Sequence, residues 1–244
     1  MTDSEDLFLA AEKMEKSGKF NDAVEIYLAA AKKFEEANNL EKCSIAYAKA
    51  GLSLELIQKN VEALEYILKA VVILQNLNLE DERSAFYYSH LGFNYFILEK
   101  FDKAAESYMT SARIYEKEKS FKTAAEGYWR AGFSYKQQAD YKMAENCYKK
   151  ALKLSEEVGD KYQQATVLGL LGILYGDAMN MHEEAAVLYI RSGEIFEQLG
   201  DMIEARDKYI WASQSYLSSG KVEAAEKLMA SINRIFPENN QYYI

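Results

Sequence analysis

One proline among 244 residues, Pro237 near the C-terminus, leaves the preceding chain without any residue that blocks a backbone N–H or clashes with a helical turn. Long helices are therefore permitted almost throughout. Two cysteines, Cys43 and Cys147, are too few for a disulfide framework and lack the CxxC spacing of zinc or redox sites. Both sit among apolar and small neighbours and read as inert buried thiols in a reducing compartment. The two histidines, His90 and His182, fall outside any HxxxH or HExxH pattern, so no helical face is expected to carry a metal pair. They read as packing or surface residues. Also missing are GxxxxGK[ST], GxGxxG and GxSxG, which removes the usual phosphate cradles and the nucleophile elbow. Acidic pairs such as Glu35-Glu36 and Glu183-Glu184 read as the solvated face of amphipathic helices. An enzyme would need His90 or His182 beside a carboxylate in a deep pocket, and no such site is expected. No catalytic residue, cofactor or metal is expected.

The longest apolar stretch, around Val167 to Tyr175, is far shorter than the roughly 20 residues that span a bilayer. The start, Met1-Thr2-Asp3-Ser4-Glu5-Asp6, is acidic where a secretory signal would be basic and then apolar. A net charge of -9, with Lys and Arg scattered among Asp and Glu, shows no basic footprint for nucleic acid. These features point to the cytoplasm, with membranes reached only through a partner.

What the chain does have is 49% hydrophobic residues and a repeat. Small residues recur at Ala11, Gly51, Gly92, Gly132, Gly172 and Ser213, spaced by 40 or 41. A second column runs Ala23, Ala63, Ala104, Ala144, Ala185 and Ala225. Four residues after each comes Tyr27, Ile67, Tyr108, Tyr148, Tyr189 or Met229, on the same helix face. A third column reads Met14, Leu54, Tyr95, Tyr135, Tyr175 and Tyr216. Between columns, apolar residues follow a 3.6-residue period, as in Ala105, Tyr108, Ala112 and Tyr115. Such columns predict helix pairs that approach closely where one helix presents Gly or Ala and the other fills the gap with a large side chain.

Turn-forming residues at Ser17-Gly18, Asn38-Asn39, Lys59-Asn60, Asn78, Gly159-Asp160, Asn180 and Gly200-Asp201 separate helices of about 16 to 18 residues. The fold expected is all-α: a single-domain α-solenoid over 1–244, of about six antiparallel helix pairs in a right-handed superhelix. The repeats run approximately 3–38, 39–78, 79–119, 120–159, 160–200 and 201–237.

The motifs Gly132-x2-Tyr135 and Ala144-x3-Tyr148-x2-Ala151 resemble the tetratricopeptide repeat, and Pro237 falls where that repeat places its closing proline. The unit is longer than the usual ~34 residues, as in the soluble NSF attachment proteins, or SNAPs. The run Glu25-Ile26-Tyr27-x2-Ala30-Ala31-x2-Phe34-x2-Ala37-x-Asn39, followed by Ala46-x3-Ala50, is similar to an early SNAP segment. Phe101-Asp102-Lys103-Ala104-Ala105-x2-Tyr108-x2-Ser111-Ala112-x2-Tyr115 resembles a middle one. The resemblance implies a non-enzymatic adaptor that grips helical, SNARE-like bundles for an NSF-type AAA ATPase in membrane traffic. A generic tetratricopeptide scaffold or a peptide-binding sensor is the alternative.

If the tetratricopeptide register holds, the first helix of each pair faces inward at positions six and three before the small residue and one and four after it. In the third repeat these are Phe86, Ser89, Phe93 and Phe96; in the fourth Glu126, Trp129, Phe133 and Lys136; in the fifth Thr166, Gly169, Ile173 and Gly176. Phe86, Phe93, Phe96, Trp129, Phe133, Lys136 and Ile173 are the candidate partner-binding residues, suited to an amphipathic helix or an aromatic anchor. The same rings could instead pack against the next repeat. Phe93 and Phe133 stand where a clamp for a terminal carboxylate needs Asn, which disfavours that mode.

Overall fold

The computed structural model of the chain describes residues 3–235, and Met1, Thr2 and Pro237 lie outside them. The described residues form twelve α-helices. They are α1 (Asp3–Lys16), α2 (Phe20–Glu36), α3 (Leu40–Leu56), α4 (Asn60–Asn76), α5 (Glu82–Ile97) and α6 (Phe101–Lys117). Then follow α7 (Phe121–Gln137), α8 (Tyr141–Glu157), α9 (Lys161–Ile173), α10 (His182–Gln198), α11 (Met202–Ser218) and α12 (Val222–Ile235). The expected α-solenoid of helix pairs is what the chain forms. Two compact units divide it, residues 1–120 and 121–244, and the boundary falls between the third and fourth repeats.

The contact that makes each pair is the meeting of small and large residues expected from the columns. A Cβ added at Gly92 would lie 2.9 Å from the Tyr108 ring, and one at Gly132 2.9 Å from the Tyr148 ring. Gly51 meets Ile67 and Gly172 meets Tyr189 in the same way. Only a residue without a side chain allows this approach at native packing density. Gly193 and Tyr209 repeat the device between α10 and the next helix, α11, with a Cβ-to-ring distance of 2.9 Å. The two helices of a pair are also tied by side chain to backbone: Ser111 Oγ donates to the Ala85 carbonyl and Ser192 Oγ to the Ala165 carbonyl, both at 2.7 Å.

Every pair of helices is joined through one residue of positive φ. Gly18, Asn38, Asn78, Gly159, Asn180, Gly200 and Gly220 are residues that suit it, whereas Gln58, Glu99, Lys119 and Ala139 are not. The turns at Glu99, Lys119, Ala139 and Gly220 were not marked by the sequence reading, and the one near Lys59-Asn60 turns on Gln58. At most of them the N–H three residues past the helix returns to a carbonyl in its last turn, as Asn39 N does to Phe34 O at 2.8 Å. The bond closes a Schellman motif and satisfies a carbonyl that the helix leaves open. Asn39, Asp140, Asp160 and Asp201 then cap the following helix by accepting from the N–H three residues on.

The two places where the column spacing grows to 41 have separate structural solutions. Between Ala63 and Gly92 the extra residue enters the longer turn at 77–81, where Asp81 and Ser84 form a reciprocal capping box. Between Gly172 and Ala185 it enters the helix, and Leu174–Ala178 widen into a π-helical turn that continues α9.

Candidate functional site

Within the first unit, the face of α3 and α5 carries a polar cluster under an exposed ring. Asn94 is fully buried and donates through Nδ2 to the Glu55 carboxylate and, at 2.9 Å, to the His90 carbonyl. His90 Nδ1 lies 2.7 Å from the other Glu55 oxygen. His90, expected as a packing or surface residue, thus has a carboxylate partner. The Glu55 carboxylate holds the His90 ring, and Asn94 in turn holds that carboxylate. Phe86 leans on the His90 ring with centroids 4.4 Å apart, and 42% of its surface stays open. Phe93 and Phe96 are half-buried, and Phe96 meets the edge of Phe101 at 5.3 Å. The cluster thus fixes the height and tilt of one exposed aromatic side chain beside two partly covered ones.

Within the second unit, Trp129, Phe133 and Lys136 lie half-buried on α7. The Arg130 guanidinium sits 4.9 Å from the Trp129 ring centre while forking onto Glu126, with Nε at 3.0 Å and Nη2 at 2.6 Å. Lys136 Nζ lies 5.7 Å from the centre of the Phe133 ring. Both rings therefore already hold a cation of their own, at about 0.5–1 kcal/mol for partly exposed pairs. Ile173, also half-buried, packs against the cluster of Ala185, Ala186, Tyr189 and Ala212.

Two features of these faces escaped the sequence reading. Trp211 on α11 is 37% exposed, with Lys208 Nζ 4.1 Å from its ring and Tyr189 5.6 Å away. Applying the inward register to the first two repeats gives Glu5, Phe8, Glu12, Glu15 and Ile45, Ala48, Leu52, Glu55, several of which line a cavity. The same counting that located Phe86 would have found them.

Cys43 is fully buried, and burial pushes its thiol up to about 11, away from the thiolate a nucleophile needs. Among the described residues no three of His, Cys, Asp and Glu converge as a metal site. No described helix is long and apolar enough to cross a membrane. What the surfaces offer is half-exposed rings, aliphatic side chains and paired charges, the materials of protein recognition.

A family model described as soluble NSF attachment protein, SNAP, matches residues 4–168. The chain belongs to the SNAP family. No curated protein sequence matches it. Solved structures place this SNAP-family chain among tetratricopeptide-like repeat proteins. BtubC (BKLC) from P. vanneervenii is 21% identical with a TM-score of 0.66, over 100% of this chain and 95% of that one. The apo form of RapI is 19% identical, TM-score 0.58, over 89% of this chain and 84% of that one. The signal transduction ATPase PH0952 from Pyrococcus horikoshii, with its tetratricopeptide repeat sensor, is 19% identical with a TM-score of 0.70. There the match covers 96% of this chain and 35% of the ATPase. Fold and family together support a helical-repeat scaffold for protein interactions.

Proposed function

We propose that this SNAP-family chain is a non-enzymatic adaptor in the cytoplasm that holds helical segments of partner proteins, SNARE-like bundles among them, for an NSF-type AAA ATPase. The family match over 4–168 carries the reading. In the first unit Phe86, Phe93 and Phe96 would meet the partner, and in the second Trp129, Phe133, Lys136 and Ile173. Support for these residues is their half-open state: a ring with both apolar area to bury and a fixed position is what interface hot spots use. Membranes are reached through the partner.

The test is affinity capture from native lysate with wild type and with Trp129→Ala and Phe86→Ala. Recovery of an AAA ATPase together with coiled-coil membrane proteins is the expected result. Each substitution should weaken capture by about 2 kcal/mol, roughly thirtyfold, with helicity unchanged. Recovery of one short peptide instead would turn the reading towards a peptide sensor, and loss of helicity would make the rings part of the core.

A further inference from the structure

The first repeat pair holds a feature that the aromatic faces do not explain. Phe8, Leu9, Phe34 and Ile45 line a mostly apolar cavity of about 310 Å³, with Glu5 and Lys42 at its rim. The walls are built into the fold. Phe8 sets its edge against Tyr27 at 5.3 Å and against Phe34 at 6.3 Å. Lys42 Nζ lies 2.5 Å from Glu5 Oε1 and 5.9 Å from the centre of the Phe34 ring, joining α1 to α3 across the opening. Leu9, on the outer lip, keeps 49% of its surface open. A cavity of this size, with fixed rings behind and an open aliphatic lip, lies at the small end of ordinary ligand pockets and has room for one or two apolar side chains.

Charge around the lip decides what carries those side chains. On α1, Asp6 lies three residues before Leu9 and Glu12 three after, so both share its face. Among the described residues neither forms a salt bridge, whereas Glu5 is held by Lys42, Glu15 by Lys49 at 3.2 Å and Asp3 by Lys33 at 3.6 Å. Lys13 is the cation nearest Leu9 along the helix, and α1 as a whole carries Asp3, Glu5, Asp6, Glu12 and Glu15 against Lys13 and Lys16. Lys13, four residues after Leu9, shares that face, so an apolar anchor entering the cavity brings its flanks against two unbridged carboxylates and one lysine.

We infer that this cavity is a docking subsite for a basic amphipathic helix of a partner protein, with one or two apolar side chains inserted over Leu9 and Lys or Arg residues set against Asp6 and Glu12. The inference rests on the adaptor reading above and adds the partner's chemistry. Helix-in-groove recognition supplies the apolar anchors at four-residue spacing, and the unpaired carboxylates select the sign of the flanks.

The experiment uses the full chain and a fluorescein-labelled helical peptide of about sixteen residues, with Trp and Leu four apart on one face and Lys on the others. A second peptide has every Lys replaced by Glu. Anisotropy titrations at low and physiological salt should show the Lys peptide binding at least about tenfold more tightly, with the gap narrowing as salt rises. Leu9→Asp should weaken it by about tenfold or more; because Leu9 is half-exposed, the melting temperature should hold. Glu12→Lys should lower affinity for the Lys peptide and raise it for the Glu peptide, a reversal that damage to the fold would not produce. Equal binding of the two peptides, or indifference to Leu9→Asp, overturns the inference. So does displacement of the Lys peptide by a fatty acid that binds with the same dependence on Leu9. A lost subsite with partner capture through Phe86 and Trp129 intact removes this inference alone, and peptide binding without capture removes the adaptor reading.

Discussion

The turns that follow α7 and α8 have the same geometry and different residues. Ala139 takes φ 60° and Gly159 φ 71°. In each, the next N–H reaches back to the helix: Asp140 N to Tyr135 O at 3.0 Å, Asp160 N to Ser155 O at 2.9 Å. Each is followed by an aspartate that caps the next helix, Asp140 accepting from Met143 N at 3.1 Å and Asp160 from Gln163 N at 3.0 Å. Alanine in this conformation is strained by about 1–2 kcal/mol and glycine is not. The path is therefore held by the helices on either side and their Schellman and capping bonds, and the turn residue only sets how much strain the path stores.

Breaking the interior should then cost far more than changing a turn. Gly132→Leu puts a branched side chain where even a Cβ would lie 2.9 Å from the Tyr148 ring and 3.1 Å from the Ala144 carbonyl oxygen. Overpacking of this kind costs about 1–3 kcal/mol and more where backbone blocks relaxation. Thermal unfolding by circular dichroism should show the largest drop in melting temperature of any variant considered. An unchanged melting temperature would show that α7 and α8 do not depend on this contact.

That ranking also explains what could be read from residue types. Gly132 and Tyr148 were legible because a close approach of two helices admits few residues, and the need recurs in every repeat. Ala139, Glu99 and Lys119 were illegible as turns because tertiary packing overrides local preference there, and their types favour continuing a helix. Phe86 and Trp129 could be placed on a face by counting, but their exposure depends on side chains from other helices or turns. Glu55 lies 35 residues from His90, so nothing in the local pattern announced that the histidine would be fastened and Phe86 propped upon it. The cavity at Leu9 needed α1, α2 and α3 together.

Exchanging glycine for alanine tests the turns directly. Gly159→Ala should lose about 0.5–1 kcal/mol, since it introduces the strain that Ala139 already bears and only partly offsets it by stiffening the unfolded chain. Chemical denaturation should show a lower midpoint with an unchanged slope. A neutral result would mean that the turn relaxes, and the comparison with Ala139 would lose its basis.

The cap beside it adds a pH dependence. The Gln163 N–H, and after it Lys122 at 2.9 Å, hold the Asp160 carboxyl below the usual aspartate range. A carboxyl lowered in the folded state stabilises above its unfolded value near 4, and the contribution is lost as pH falls through the folded value. Asp160→Ala should therefore lose about 1 kcal/mol at pH 7. Melting curves of wild type and variant should draw together as the buffer is taken from pH 7 towards about 3. A gap constant across that range would leave the cap without its charge.

The smallest effect has the opposite sign. Ala139→Gly removes the left-handed strain but frees the unfolded chain, and the second term offsets about 0.4–1 kcal/mol of the first. The net gain should be about 0.5 kcal/mol, read as a raised denaturation midpoint. Since the Cβ of Ala139 is on an exposed residue, no packing is lost with it. A destabilised variant would mean that alanine's stiffness in the unfolded chain outweighs its strain in the turn, and that this repeat has been fitted to the residue it carries.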